Sequence, residues 1–162
     1  CEKTGTLMVE GIPALTSDTL NFEEVMKNYK LVLTQIARVY NEAMNIIHYM
    51  HDKYDYEAFE MSLHDGDVER TRATGIAGLS IVADSIAAMK NCRIRIIRDE
   101  SGLAVDYKIE EGEYMPFGNN CEETDEIAVS LTETFMEYLR QHRTYRDAVP
   151  TQSLLTITSN VV

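Results

Sequence analysis

The chain has 162 residues, 44% of them hydrophobic, enough to bury one sizeable core, so one domain or part of one is expected. Its 27 acidic and 15 basic side chains leave a formal charge of −12, which argues against duplex nucleic acid and anionic membrane surfaces, since both need clustered Lys and Arg. No apolar run approaches the roughly 20 residues that span a bilayer, and Cys1, Cys92 and Cys121 show no paired spacing, so a soluble chain in a reducing cytoplasm is expected.

The chain opens on Cys1 rather than methionine and runs through a loop-like stretch broken by Gly5, Gly11 and Pro13, with no apolar run of signal-peptide length. Asn21 is a helix N-cap, with Glu24 placed to complete a capping box and Glu23 in the first turn. Phe22, Val25, Met26, Tyr29, Leu33, Ile36, Tyr40, Ala43, Ile47 and Met50 then recur at three- and four-residue steps to about Asp52. At 1.5 Å per residue that helix is roughly 45 Å long, made to lie along something larger than a compact domain of this length. A short second helix is expected over 54–63, and His64, Asp65, Gly66 and Asp67 break the chain.

A third helix is predicted over 68–90, rich in alanine and carrying Ile76, Leu79, Ile81, Val82, Ile86 and Met89. Gly75 and Gly78 lie in it one turn apart, which implies close backbone approach or a helix start near Thr74. Residues 93–97 and 103–109 flank a polar turn around Gly102 and read as a β-hairpin with one wet and one covered face. A loop through Gly112, Pro116 and Gly118 leads to a last helix starting at Glu122 or Thr124, with Ala128, Leu131, Phe135, Tyr138, Leu139 and His142 on one stripe, ended before Pro150. The terminal LLTITSNVV, 154–162, has the composition of a strand buried on both faces, through Leu154, Leu155, Ile157, Val161 and Val162. Nothing follows to pair with its second edge, so the expectation is an interior slice of a larger protein, 1–162 forming part of one domain without an internal boundary.

Few constellations could carry chemistry. His48 and His51, with Asp52 and Asp55 nearby, could share a metal, but without an HExxH pattern interface or capping histidines are the plainer reading. His64 to Glu69 has acidic spacing faintly like a calcium loop without its 12-residue ligand pattern, so capping is preferred. Thr74, Gly75 and Gly78 fall short of a dinucleotide fingerprint and read as packing glycines. Cys92 follows a helix C-terminus, the negative end of its dipole, and Cys121 sits beside Glu122 and Glu123, so neither reads as a nucleophile. Ser153 and Ser159 lack a histidine in sequence context, and His142 is not placed near them by spacing.

Four separated runs, NIIHYMHDKYDYEA at 45–58, GIAGLSIVADSIAAMK at 75–90, IRDESGLAVDYKIEEGEYMPFGNN at 97–120 and HRTYRDAVPTQSLLTITSNVV at 142–162, strongly resemble the pyruvate formate-lyases, the formate C-acetyltransferases among the glycyl radical enzymes. That resemblance covers the chain from about Leu20 and implies an α/β fold, a fragment of a ten-stranded barrel jacketed by helices, mostly helical with the hairpin and a buried C-terminal strand. It implies that the parent transfers acetyl from pyruvate to coenzyme A and releases formate, using a glycyl radical, an adjacent cysteine pair and carboxylate-holding arginines, after activation by a radical S-adenosylmethionine enzyme with an iron–sulfur cluster. The parent's implied partners are that activase, the rest of its own polypeptide and a second copy, since the family commonly forms homodimers. No Cys-Cys pair occurs here, Cys1 being followed by Glu2, and the RVSGYA-like loop with the radical glycine is absent. The arginine that follows the cysteine pair in the family falls upstream of Cys1. No residue is therefore assigned a catalytic, cofactor-binding or metal role. The segment is expected to be structural and inactive alone, the alternative being a stand-alone, non-catalytic helical interaction module derived from the family.

Overall fold

A computed structural model describes residues 9–54 and 57–154. In chain order the elements are α1 (Phe22–Tyr54), α2 (Glu57–Met61), β1 (Thr71–Gly75), α3 (Leu79–Asn91), β2 (Arg93–Arg98), β3 (Ala104–Glu111), α4 (Glu122–Arg140), a 3-10 turn (Tyr145–Asp147) and β4 (Val149–Ser153). The chain is thus mixed α and β, as its patterning implies. Two compact units divide it, one of Cys1–Val32 with Gly78–Leu131 and the other of Leu33–Ala77 with Thr132–Val162, so α1 and α4 each contribute to both. Among the described residues no helix is long and apolar enough to cross a membrane.

The first unit is built on α3, a 13-residue helix whose Ala83, Ile86 and Ala87 are buried against Ile127, Ala128 and Leu131 of α4. Phe22, Met26 and Tyr29 from the start of α1 pack on the same cluster. Alanines on α3 keep its facing side chains short, which lets neighbouring helices approach closely. The N-cap of α1 forms as its sequence predicts, Asn21 Oδ1 accepting the Glu24 amide at 3.1 Å. Thr124, fully buried in the first turn of α4, donates to the Met115 carbonyl at 2.8 Å and ties the preceding loop down.

β2 and β3 form the expected antiparallel hairpin, with Ile96 opposite Tyr107 and Arg95 opposite Lys108. Ile94 and Ile96 of β2 are buried, but β3 is exposed along its whole length, which corrects the expectation of a covered face. Its apolar residues alternate as read, yet Val105, Tyr107 and Ile109 remain 60%, 55% and 45% exposed. The connecting turn is held by Asp99, whose Oδ1 accepts the Ser101 amide at 2.9 Å, the Ser101 hydroxyl at 2.6 Å and the Leu103 amide at 3.0 Å. Those donors, the Ser101 hydroxyl first, favour the carboxylate and hold its pKa below the usual aspartate value. A depressed folded-state pKa contributes stability that is present above the unfolded value and lost as pH falls through the folded one. Asp99→Asn is therefore expected to speed amide exchange in the turn near neutral pH, and the gap to wild type to close as the medium is acidified through the carboxylate range.

The second unit centres on β1 and β4, paired in parallel from Thr71 opposite Val149 to Gly75 opposite Ser153. Thr74 adds a side-chain bond to the Thr151 carbonyl at 2.8 Å, and the Ile76 amide continues the ladder to Ser153 O at 3.2 Å. This strand replaces the first half of the helix predicted over 68–90. Gly78 has φ +78°, a left-handed conformation that no helix interior accommodates, so the helix can begin only at Leu79, where the Gly78 carbonyl accepts the Val82 amide. The β-branched Thr71 and Thr74 favour the extended alternative upstream. Ala37 of α1 and Phe135 and Leu139 of α4 form this unit's apolar core, with Leu33, Tyr40, Ile76 and Tyr138 around it.

Two further boundaries differ from the sequence reading. The second helix is one turn, Glu57–Met61, rather than 54–63, because α1 itself continues to Tyr54. The last strand includes Pro150, which was expected to precede it; proline is tolerated there because its missing N–H costs nothing where no ladder bond uses it. Leu154 lies beyond that strand, and 155–162 of the predicted buried strand lie outside the described residues.

Candidate functional site

The densest polar cluster lies in the second unit, where Asn41 and Asn45 stand one turn apart on α1. The i, i+4 spacing puts both carboxamides on one face of the helix, turned toward β1 and the turn that precedes β4. Arg72, in the middle of β1, is 2% exposed and donates from Nη1 to Asn45 Oδ1 at 2.9 Å and from Nη2 to Asn41 Oδ1. Both amide nitrogens donate to the Arg143 carbonyl at 2.9 Å, and Asn45 Oδ1 accepts the Tyr145 amide at 2.8 Å. Two neutral side chains thereby hold a guanidinium and a turn at once. Burial lowers the Arg72 pKa, partly opposed by Tyr40, and its Nε has no hydrogen-bond partner among the described residues.

Two helical turns further along α1, Asp52 pairs with Arg146 and accepts the Tyr145 hydroxyl at 2.6 Å on Oδ2. Its side chain is 6% exposed, and Oδ1 has no partner among the described residues. The bond to Asp52 pushes the Tyr145 phenol above its usual pKa, since losing the proton would set two anions together. Tyr145 also meets Tyr49 edge-on at 6.0 Å between ring centres. These contacts hold Arg146 and Asp147 at φ +52° and +54°, left-handed values unusual for consecutive non-glycine residues. Asp147 is solvent-exposed and its ion pair with Arg143, at 3.9 Å, contributes little. Asp147→Gly should therefore relieve strain and raise the local opening energy of the turn by about 0.5 kcal/mol, the αL relief being partly offset by glycine's entropy in the unfolded chain; hydrogen exchange across the turn checks it.

This arrangement positions backbone; it presents no nucleophile paired with a base. Of the residues singled out in the sequence, His48 is half-buried and His51 exposed, while Asp52 is engaged by Arg146 and Tyr145, and Asp55 lies outside the described residues. Residues 64–69 form an exposed loop. Thr74 is buried in β1, Gly75 ends that strand and Gly78 caps α3. Cys92 and Cys121 are half-buried free thiols, the first bonded through its amide to the Ala88 carbonyl at the end of α3, the second preceding α4. His142 closes the end of α4 through its amide, and Ser153 ends β4; Cys1 and Ser159 lie outside the described residues. Among the described residues no three His, Cys, Asp or Glu side chains stand close enough to share a metal.

The sequence reading missed Arg72, Asn41, Asn45, Tyr145 and Arg146. A usable signal existed for the asparagines, which fall at i, i+4 beside the apolar stripe of α1 where buried polar residues need partners. None existed for Arg72 while its segment was read as helix.

The chain matches, over residues 1–162, the family model described as pyruvate formate lyase-like. It is 56% identical over 148 residues to formate acetyltransferase 1 of Escherichia coli (strain K12), an overlap that takes in 91% of this chain and 19% of that protein. The chain therefore spans about a fifth of the length of that relative.

Proposed function

Because this chain belongs to the pyruvate formate-lyase-like family, we propose that it is a structural segment of a formate C-acetyltransferase, which transfers acetyl from pyruvate to coenzyme A and releases formate in the cytoplasm. The observation that carries the reading is the match along the whole chain joined to 56% identity with a formate acetyltransferase. The β1–β4 pair supports the structural half of it. Parallel sheets are ordinarily covered on both faces, whereas here Thr71 and Ala73 are exposed on one face and, among the described residues, this sheet has only two strands. Such a pair fits two neighbouring staves of the family's barrel, with α1 and α4 in its jacket.

In this reading the segment's own residues do mechanical work. Asn41, Asn45 and Arg72 fix α1 to β1, and Asp52 with Tyr145 fixes the turn that feeds β4, so the strands' open face is presented in one register to the barrel interior. A stable wall there would exclude water from radical intermediates. The parent would supply the glycyl radical and the cysteine pair from elsewhere in its chain, use coenzyme A as co-substrate, be charged by a radical S-adenosylmethionine activase and act as a homodimer.

The test has two arms. The full-length protein, activated anaerobically, should convert pyruvate and coenzyme A to formate and acetyl-coenzyme A, and the 162-residue chain treated identically should yield neither. Turnover by the short chain alone would overturn the structural assignment, and inactivity of the activated full-length protein would overturn the reaction. A short chain that melts cooperatively as a defined species without exposing dye-binding surface would instead support a stand-alone interaction module derived from the family.

A further inference from the structure

We infer that Asp52 is a positioning residue that sets the register in which β4 pairs with β1; one fixed register is what the proposed barrel wall requires, so the role rests on that reading for its bearing on the reaction. The ladder itself discriminates poorly. Each strand is 5 residues long, TRATG against VPTQS, with polar residues on both faces, and such strands hold their register weakly. A slip of one residue would turn every side chain to the other face, whereas a slip of two leaves each on its own. With Val149 moved from Thr71 to Ala73, its amide would exchange the Arg70 carbonyl for that of Arg72, and the Ile76 amide would exchange Ser153 for Thr151. Thr74 Oγ1 would likewise meet the Val149 carbonyl in place of the Thr151 one. All these acceptors are main-chain oxygens, so none of them tells the two registers apart.

The turn before β4 tells them apart. Asn45 Oδ1 accepts the Tyr145 amide at 2.8 Å, Asp52 Oδ2 accepts the Tyr145 hydroxyl at 2.6 Å, and Asp52 pairs with Arg146. The same helix holds β1, through Arg72 on Asn41 and Asn45. Helix α1 is therefore a common reference for the middle of β1 and for the residues just ahead of β4. Between Tyr145 and Val149 the path is shortened by Arg146 and Asp147, at φ +52° and +54°. Were both extended, slack would pass toward β4 in the direction of the slip. Neither residue is glycine, so the conformation needs a hold from outside the turn. Asp52, its side chain 6% exposed, supplies that hold to Tyr145 and Arg146 together.

In the unactivated full-length protein, mildly oxidised, Thr71→Cys with Val149→Cys should form a disulfide, because opposed residues lie about 4.8 Å apart, within disulfide reach. Ala73→Cys with Val149→Cys should not. Adding Asp52→Ala should lower the 71–149 link and raise the 73–149 link roughly tenfold, the population change that the cost of one left-handed residue corresponds to. Asp52→Asn, which keeps an acceptor for Tyr145 and drops the charge, should give the same shift at lower yield. Arg146→Gly with Asp147→Gly in the Asp52→Ala background should return the 71–149 link, since glycine takes left-handed values readily. A loss of stability alone would lower the first link without creating the second. An unshifted map in both Asp52 variants, loss of both links, or failure of the glycines to restore the first would each overturn the inference. The map is read without turnover, so an inactive wild type would overturn the reaction assigned above and leave the role of Asp52 standing.

Discussion

Replacing Asn41 with leucine should lower the local opening energy of β1 by about 3–5 kcal/mol, because it leaves a buried guanidinium short of an acceptor. Asn41 is 3% exposed and Arg72 2%, and among the described residues Arg72 has only the two asparagines to serve it through its Nη atoms. The cost arises from the charge left behind and not from the lost amide, so it should be removable from the other side. Arg72→Met in the Asn41→Leu background should recover all but roughly 1 kcal/mol, the share of the amide's separate bond to the Arg143 carbonyl. Amide exchange along 71–75 in the four proteins of that cycle reads the coupling directly. Additive losses, with no recovery in the double variant, would show that Arg72 is satisfied by groups other than these asparagines.

Gly112→Ala should open the hairpin by a comparable amount, about 3 kcal/mol or more, from a conformational and a steric cost together. The glycine follows β3 at φ +93°, and a Cβ there would overlap the Asn91 carbonyl oxygen and stand 2.9 Å from the Cys92 Cα. Both obstacles are backbone at the end of α3, so no side-chain rotation clears them. Faster exchange in 93–98 and 104–111, with the β1 amides unchanged, is the expected result. An alanine variant exchanging at the wild-type rate would mean that this turn has another way to pass α3.

The elements legible in the sequence are those whose signals are local. Asn21 with its acidic first turn, the three- and four-residue steps of α1 and α4, and the two alternating arms of the hairpin all depend on neighbours within a few residues, and they form near where they were expected. The third predicted helix failed where two local signals competed. Alanines and aliphatics spoke for helix throughout, but Gly75 and Gly78 marked a real boundary, and an extended partner at 149–153 made a strand of what lay before it. That partner is nearly eighty positions away, beyond the reach of any periodicity.

The candidate site was illegible for the same reason. Asn41, Arg72 and Tyr145 belong to three elements that no spacing relates, and their chemistry exists only once β1 and β4 bring them to one helix face. His48, His51 and Asp52, by contrast, were conspicuous as a cluster in sequence, and the fold assigns Asp52 to Arg146 and Tyr145.

By itself the sequence settled that α1 and α4 are amphipathic helices, where the hairpin turns and, through four extended runs of likeness, which family the chain belongs to, because each of these is written in adjacent residues. Tertiary structure alone decided that 71–75 is a strand, that an arginine can be buried on two asparagines and that the apolar row of β3 stays open. Those outcomes turn on what lies across space from a residue, and desolvation, strand pairing and burial are properties of pairs that a linear pattern does not contain.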